Sequence, residues 1–198
     1  MIYIYGMRNR PAGPGCQPDG FIEFTEGHGR YHNFLYYDRP LTSDEKKNFE
    51  LDFVGANFGD SGVEFQKPFT ESIIVTDFLS DEEFIRLCQL FEVKFPLESH
   101  SFGSPKMQLY RDNGHIYLKG LPQNDYLNVP VLDYLQALMN FAVTAKRVNH
   151  HKTDGTEGSE KYAFRLWLNR IGLSGPDYKE TRKVLLANLS GSATRAHE

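Results

Sequence analysis

Ser72-Ile73-Ile74-Val75-Thr76-Asp77-Phe78-Leu79-Ser80-Asp81-Glu82-Glu83-Phe84-Ile85-Arg86-Leu87-Cys88-Gln89-Leu90-Phe91 changes its structural signal halfway along. Its first part, the β-branched run Ile73-Ile74-Val75-Thr76, reads as a strand over 72–77. Ser80 then stands three residues before Glu83, the spacing of a capping box, in which each side chain satisfies a backbone N–H of the other. Beyond it Phe84, Leu87, Cys88 and Phe91 fall at helical spacing. Downstream, Met107–Arg111 and His115–Lys119 flank Asp112-Asn113-Gly114, whose residues suit a tight hairpin turn. Pro130 is expected to open a long helix to about Val148, with Leu132, Leu135, Leu138, Met139 and Ala142 on one stripe.

Upstream, Met1 to Met7 alternates Tyr3 and Tyr5 with Ile2 and Ile4 and predicts a strand. Residues 8–20 are too rich in proline and glycine for regular structure. Phe21–Thr25 and Arg30–Asp38 are the next strands, with His28-Gly29 in the turn between them. Thr42 and Glu45 repeat the capping box and predict a short helix to about Leu51. Gly55 to Pro68, with glycines at 55, 59 and 62, reads as a loop and a module boundary.

At the other end, Asn149–Ser159 is a polar linker. Residues 160–189 form two amphipathic helices broken at Gly172-Leu173-Ser174-Gly175-Pro176. Ala163, Phe164, Trp167, Leu168 and Ile171 line the inner face of the first. Gly172 ends that helix, and Ser174 or Gly175 caps the second, with Pro176 in its first turn. Tyr178, Thr181, Val184 and Leu185 face inward in the second helix, and the tail from Ser190 frays. The expected fold is therefore α+β. An N-terminal strand-rich module, 1–68, holds a small antiparallel sheet with one helix. A C-terminal module, 69–198, holds a hairpin and three to four helices and ends in the helix-turn-helix-like pair.

Composition narrows the function classes. The chain has 198 residues, 40% of them hydrophobic and 14% aromatic, enough for a core. No apolar run approaches the ~20 residues of a membrane span, and the start lacks the basic flank of a signal peptide. Cys16 and Cys88 lie far apart, so a disulfide framework is not indicated and the cytoplasm is the expected compartment. The net charge of −4 is unevenly spread: residues 42–98 hold 13 acidic and 5 basic side chains, residues 142–198 hold 10 basic and 6 acidic.

No catalytic, cofactor-binding or metal-ligating residue is expected. The histidines lack metal-site spacing, since His150 and His151 are adjacent and His28 and His32 straddle a turn. The glycines of loop 8–20 do not match a phosphate loop. Cys16, near Arg8 and Arg10, is either a reactive thiol or a small loop residue. Arg8, Arg10 and Gln17 either present a recognition surface or serve as structural partners. Asp44, Glu45, Asp81, Glu82 and Glu83 either mimic nucleic-acid phosphate or answer two helix dipoles. Arg165, Lys179, Arg182 and Lys183 either contact nucleic acid or form a solvated basic face.

Two stretches resemble known sequences. Tyr5-Gly6-Met7-Arg8 through Pro14-Gly15-Cys16-Gln17-Pro18, continuing to Leu41, resembles the start of small uncharacterised proteins carried by phages and conjugative elements of gut Firmicutes. Lys161-Tyr162-Ala163-Phe164-Arg165 through Tyr178-Lys179-Glu180-Thr181-Arg182-Lys183-Val184-Leu185-Leu186-Ala187-Asn188-Leu189-Ser190-Gly191 resembles a terminal module of similar proteins. Such elements encode accessory proteins that counter host defence. The resemblance thus implies an anti-CRISPR protein whose partner, in the bacterial cytoplasm, is a type II RNA-guided nuclease or its guide-RNA complex. That nuclease has a basic channel suited to an acidic binder. The alternative is a DNA-binding accessory or regulatory protein using the last two helices. An enzyme acting through Cys16 is a third reading. The oligomeric state is not legible.

Overall fold

A computed structural model describes residues 1–9, 16–59, 72–145 and 159–194. The fold is α+β, as expected. Seven strands form one antiparallel sheet: β1 (Ile2–Met7), β2 (Phe21–Glu26), β3 (Asn33–Tyr37), β4 (Leu51–Gly59), β5 (Ser72–Thr76), β6 (Lys106–Asp112) and β7 (His115–Lys119). Their order across the sheet is β2-β3-β1-β4-β6-β7-β5. Five helices accompany them: α1 (Ser43–Asn48), α2 (Asp81–Phe102), α3 (Asp125–Thr144), α4 (Glu160–Arg170) and α5 (Lys179–Leu185).

The central strand β4 corrects the sequence reading. Residues 55–59 are strand, not loop, and Gly55–Gly59 pairs with Lys106–Tyr110 of β6. The small N-terminal sheet is thereby one half of a larger one, because strands on both sides of residue 68 share it. Gly55 is at this join for a steric reason. A Cβ there would stand 2.3 Å from the Leu109 carbonyl oxygen, so only glycine lets the two backbones approach. Residues 60–68 of the expected loop lie outside the described residues, as do 10–15 of the loop after β1 and 149–158 of the expected linker.

Both capping boxes form as predicted. Thr42 accepts from the Glu45 backbone N–H and Ser80 from that of Glu83, with each glutamate reaching back to its cap. The α1 helix is shorter than expected and ends before β4 begins at Leu51. The hairpin between β6 and β7 turns through Asn113 (φ 47°) and Gly114 (φ 75°), the left-handed pair that a twisted two-residue turn requires. The α3 helix starts at Asp125, not Pro130, because Asn124 caps it by accepting from the Tyr126 N–H at 3.1 Å. Pro130 is inside the helix, and Val148 is outside the described residues. The α5 helix begins at Lys179, after an uncapped Tyr178 that is exposed rather than inward. Ser190–Thr194 is tied down, not frayed: the Ser159 hydroxyl donates to the Ser190 carbonyl at 3.2 Å and Arg165 to the Ala193 carbonyl at 2.8 Å.

One sheet face carries the helices. Alternation along the strands, reset within β4 by the register shift opposite Ile4 and Tyr5, puts Tyr3, Tyr5, Phe53, Phe58, Leu109 and Leu118 on this face. The α2 helix packs on β4 and β6, and α3 packs on β5, α2 and α5. Rings link the layers: Phe53 to Phe84 of α2 at 5.4 Å, Phe58 to Phe91 at 4.7 Å. Ile2, Ile4, Phe34, Tyr36, Val54 and Tyr110 form a second cluster on the opposite face. The β2–β3 connection folds onto it, with His28 edge-on to Phe34 at 4.9 Å and Tyr31 directly over Gly6.

Candidate functional site: a mixed-charge cleft at the sheet end

The cleft begins where β1 ends. Arg8 and Asn9 leave the strand beside the start of β4, because β1 and β4 run antiparallel with Met7 opposite Leu51. The α1 helix, set in place by its capping box, adds Ser43, Lys46 and Lys47. The α1–β4 turn adds Glu50, the start of β4 adds Leu51 and Asp52, and α2 adds Asp81. Together these residues line an open cleft of about 630 Å³.

Its polar groups are held by one another. Arg8 donates from Nε and Nη2 to Asp52 Oδ2, at 2.9 and 2.6 Å. The Tyr31 hydroxyl donates to the same oxygen at 3.1 Å, and Arg30 Nη2 lies 3.9 Å from it. Arg30 also donates to the Tyr31 oxygen at 2.6 Å and sits over the Tyr31 ring. Burial pushes the Tyr31 hydroxyl pKa up, against the pull of the Arg30 hydrogen bond. Asn9 donates to the Glu50 carboxylate. Glu50 itself has φ 53°, in the left-handed region that a residue with a Cβ enters at a cost. Strained residues of this kind concentrate at binding sites. Lys46 and Lys47 form no ion pair among the described residues. The result is a fixed patch of guanidinium, amide and carboxylate groups beside two ammonium groups available to an incoming acceptor.

The structure brings only part of the sequence-derived set here. Arg8 is in the cleft, whereas Arg10 lies outside the described residues. Gln17 accepts from the Tyr37 hydroxyl at 3.2 Å, and Cys16 is exposed. Glu45 accepts from Arg39 Nη1 at 3.0 Å. That hydrogen bond, followed by the Thr42 backbone, pulls its carboxyl down to about 2. Asp81, at the cleft rim, accepts from Arg111 at 2.7 Å. The Ser80 cap holds the Glu83 carboxyl below its ordinary range. Asp44 and Glu82 are exposed. At the C-terminal end Arg165 and Arg182 are turned onto backbone carbonyls, those of Ala193 and Leu173, the latter at 2.9 Å. Lys183 stands 3.6 Å from Glu180, and Lys179 is exposed.

Sequence reasoning missed Asn9, Ser43, Lys46, Lys47, Glu50 and Asp52. The one signal available was the Thr42 capping box, which fixes where α1 starts and so where its two lysines project. The Arg8–Asp52 pair spans 44 residues and has no local signature.

Among the described residues, no helix is long and apolar enough to cross a membrane. No curated protein and no solved structure matches the chain. Residues 1–55 match the model of a family described as Defence against restriction A C-terminal. The matched segment contains β1, β2, β3, α1, the first part of β4, and every cleft residue except Asp81.

Proposed function

We propose that this is a defence-evasion accessory protein of a phage or other mobile element. It acts by binding rather than by chemistry, in the cytoplasm of the bacterial host, and the Arg8–Asp52 cleft is part of its contact surface. One coincidence carries this reading: the segment similar to an anti-restriction family is also the segment that builds the cleft. A site of hydrogen-bonding groups already fixed in place suits binding, because little side-chain freedom is lost on contact.

Within that reading the target is a host nuclease, and the narrower version is a type II RNA-guided nuclease or its guide-RNA complex. The net charge of −4 and the exposed Asp44 and Glu82 support an acidic binder for a basic channel. The test has two levels. Expression of the protein should clearly raise the plating efficiency of a restricted phage. No gain on any restricting host would end the broader reading. Purified protein should slow plasmid cleavage by a type II RNA-guided nuclease; undiminished cleavage by several of them would remove the narrower one.

A second reading rests on Lys179 and Lys183, which project from α5 into solvent. If they touch DNA or RNA, Lys179→Glu with Lys183→Glu abolishes a salt-dependent gel shift. A wild-type protein that gives no shift at low salt excludes this contact.

A further inference from the structure

The two edges of the sheet are built differently. One edge strand, β5, reads Ser72-Ile73-Ile74-Val75-Thr76 and carries no charge. The other, β2, reads Phe21-Ile22-Glu23-Phe24-Thr25-Glu26. Among the described residues β2 pairs with β3 alone, so the outward half of its backbone N–H and C=O groups has no ladder partner there. Ile22 is 43% exposed and Phe24 57%, large apolar side chains that a closed edge would cover. Glu26 follows Phe24 on the same exposed face, Glu23 stands between Ile22 and Phe24 on the other, and exposed Asp19 precedes the strand.

We propose that β2 is a docking edge for an extended, basic segment of the target protein, which adds to the sheet as an eighth strand. The inference rests on the binding reading above and names the chemistry of the partner. Strand addition gains affinity from main-chain hydrogen bonds and specificity from alternating side chains. Here two carboxylates accompany the two exposed apolar side chains, so the complement is a strand that carries apolar residues together with lysine or arginine. Opposite charges across an antiparallel pair favour the register, and like charges oppose it. A second copy of this chain fits worse. Antiparallel β2–β2 pairing brings four glutamates into one two-stranded ribbon. The charge that repels a second copy is the usual guard on an edge strand, and a basic strand neutralises it.

The test uses the full chain and a ten-residue peptide alternating lysine and valine, with a glutamate–valine peptide as control. Amide hydrogen exchange should slow at outward-facing positions of 21–26, for the basic peptide only, and the effect should weaken with salt. Glu23→Lys with Glu26→Lys should lower affinity at least tenfold while leaving the thermal unfolding curve in place. Phe24→Ser should weaken binding and keep its salt dependence. The proposal is overturned if protection appears at β5 instead, if the charge reversal leaves affinity unchanged, or if sedimentation shows a β2-mediated dimer. Loss of peptide binding with plating protection intact would remove this edge and leave the broader function standing. Absence of protection in the wild type would remove the function itself.

Discussion

The cleft at the sheet end and the core beneath α4 both contain a carboxylate contacted by a tyrosine, and they differ in what surrounds it. In the cleft, Asp52 takes Arg8 and Tyr31 at a surface where Arg8 is largely solvated. In the core, Glu98 of α2 is fully buried. It accepts from the Tyr134 hydroxyl of α3, and Trp167 Nε1 of α4 donates to the Tyr134 oxygen at 3.0 Å. The second carboxyl oxygen of Glu98 has no hydrogen-bond partner among the described residues. Burial raises the Glu98 pKa well above its ordinary value, against the pull of the Tyr134 hydrogen bond. The core chain of hydrogen bonds therefore favours the neutral acid and joins three helices. The cleft works with charges and joins nothing that packing does not already hold. Substitutions in the first region should register as stability, those in the second as binding.

The largest effect belongs to Trp167. It fills the α3–α4 interface, edge-on to Phe141 at 5.6 Å, and it anchors the hydrogen-bond chain. Trp167→Ala should cost about 3–5 kcal/mol, read as a lowered denaturant midpoint. Tyr134→Phe comes next. It keeps the ring between Phe102 and Phe164 and removes only the hydroxyl, leaving Glu98 without its donor and the Trp167 N–H without its acceptor. A loss of about 1–3 kcal/mol is expected, or a fall of several degrees in Tm at ~2–4 °C per kcal/mol for a chain of this size. The same site sets a pH dependence. A carboxyl whose folded pKa is raised binds its proton in the native state and releases it on unfolding. Its stability contribution is full below the unfolded value and is lost as pH rises toward the folded one. Glu98→Gln, shaped like the neutral acid, should flatten that decline, so the variant gains on wild type in a Tm series from pH 5 to 8. A parallel decline in both proteins would show that Glu98 ionises freely in the native state.

How much of this was legible in the sequence follows the range of each interaction. The α2 helix was readable because its cap, its first-turn carboxylates and its apolar stripe all lie within a few residues of one another. The β6–β7 hairpin was readable because Asn113-Gly114 states its own turn. Strand β4 was not, since Gly55 and Gly59 carry the signature of a loop, and only the position of the Leu109 backbone explains Gly55. The α3 start was misplaced because proline at a first turn is a stronger local signal than Asn124, although Asn124 caps the helix. The same limit governs the charges. Arg165 and Arg182 read as an open basic face, yet their partners are carbonyls, which every residue has and no sequence marks. The uneven charge along the chain is offset in the same way: Arg8, Arg39 and Arg111, all from outside residues 42–98, reach Asp52, Glu45 and Asp81 within it.

Smaller effects test the cleft side of the comparison. Ser80→Ala removes the α2 cap, whose oxygen accepts from the Glu83 N–H at 3.3 Å, and should cost about 1 kcal/mol in thermal unfolding. Arg8→Ala should matter least to the fold. Arg8 is 57% exposed, and exposed ion pairs contribute about 0–1 kcal/mol, so its unfolding midpoint should stay within about 0.5 kcal/mol of wild type. Its effect on function should be the reverse. Among the described residues, removing the guanidinium leaves Asp52 with only the Tyr31 hydroxyl at 3.1 Å and the distant Arg30, so the carboxylate is held less firmly and the cleft loses its fixed donor. Plating protection should then fall steeply while Tyr134→Phe, assayed below its own melting range, retains it. Should Arg8→Ala protect as well as wild type and melt with it, the cleft is ordinary surface and the contact face lies elsewhere on the segment 1–55, with the β2 edge as the first place to look.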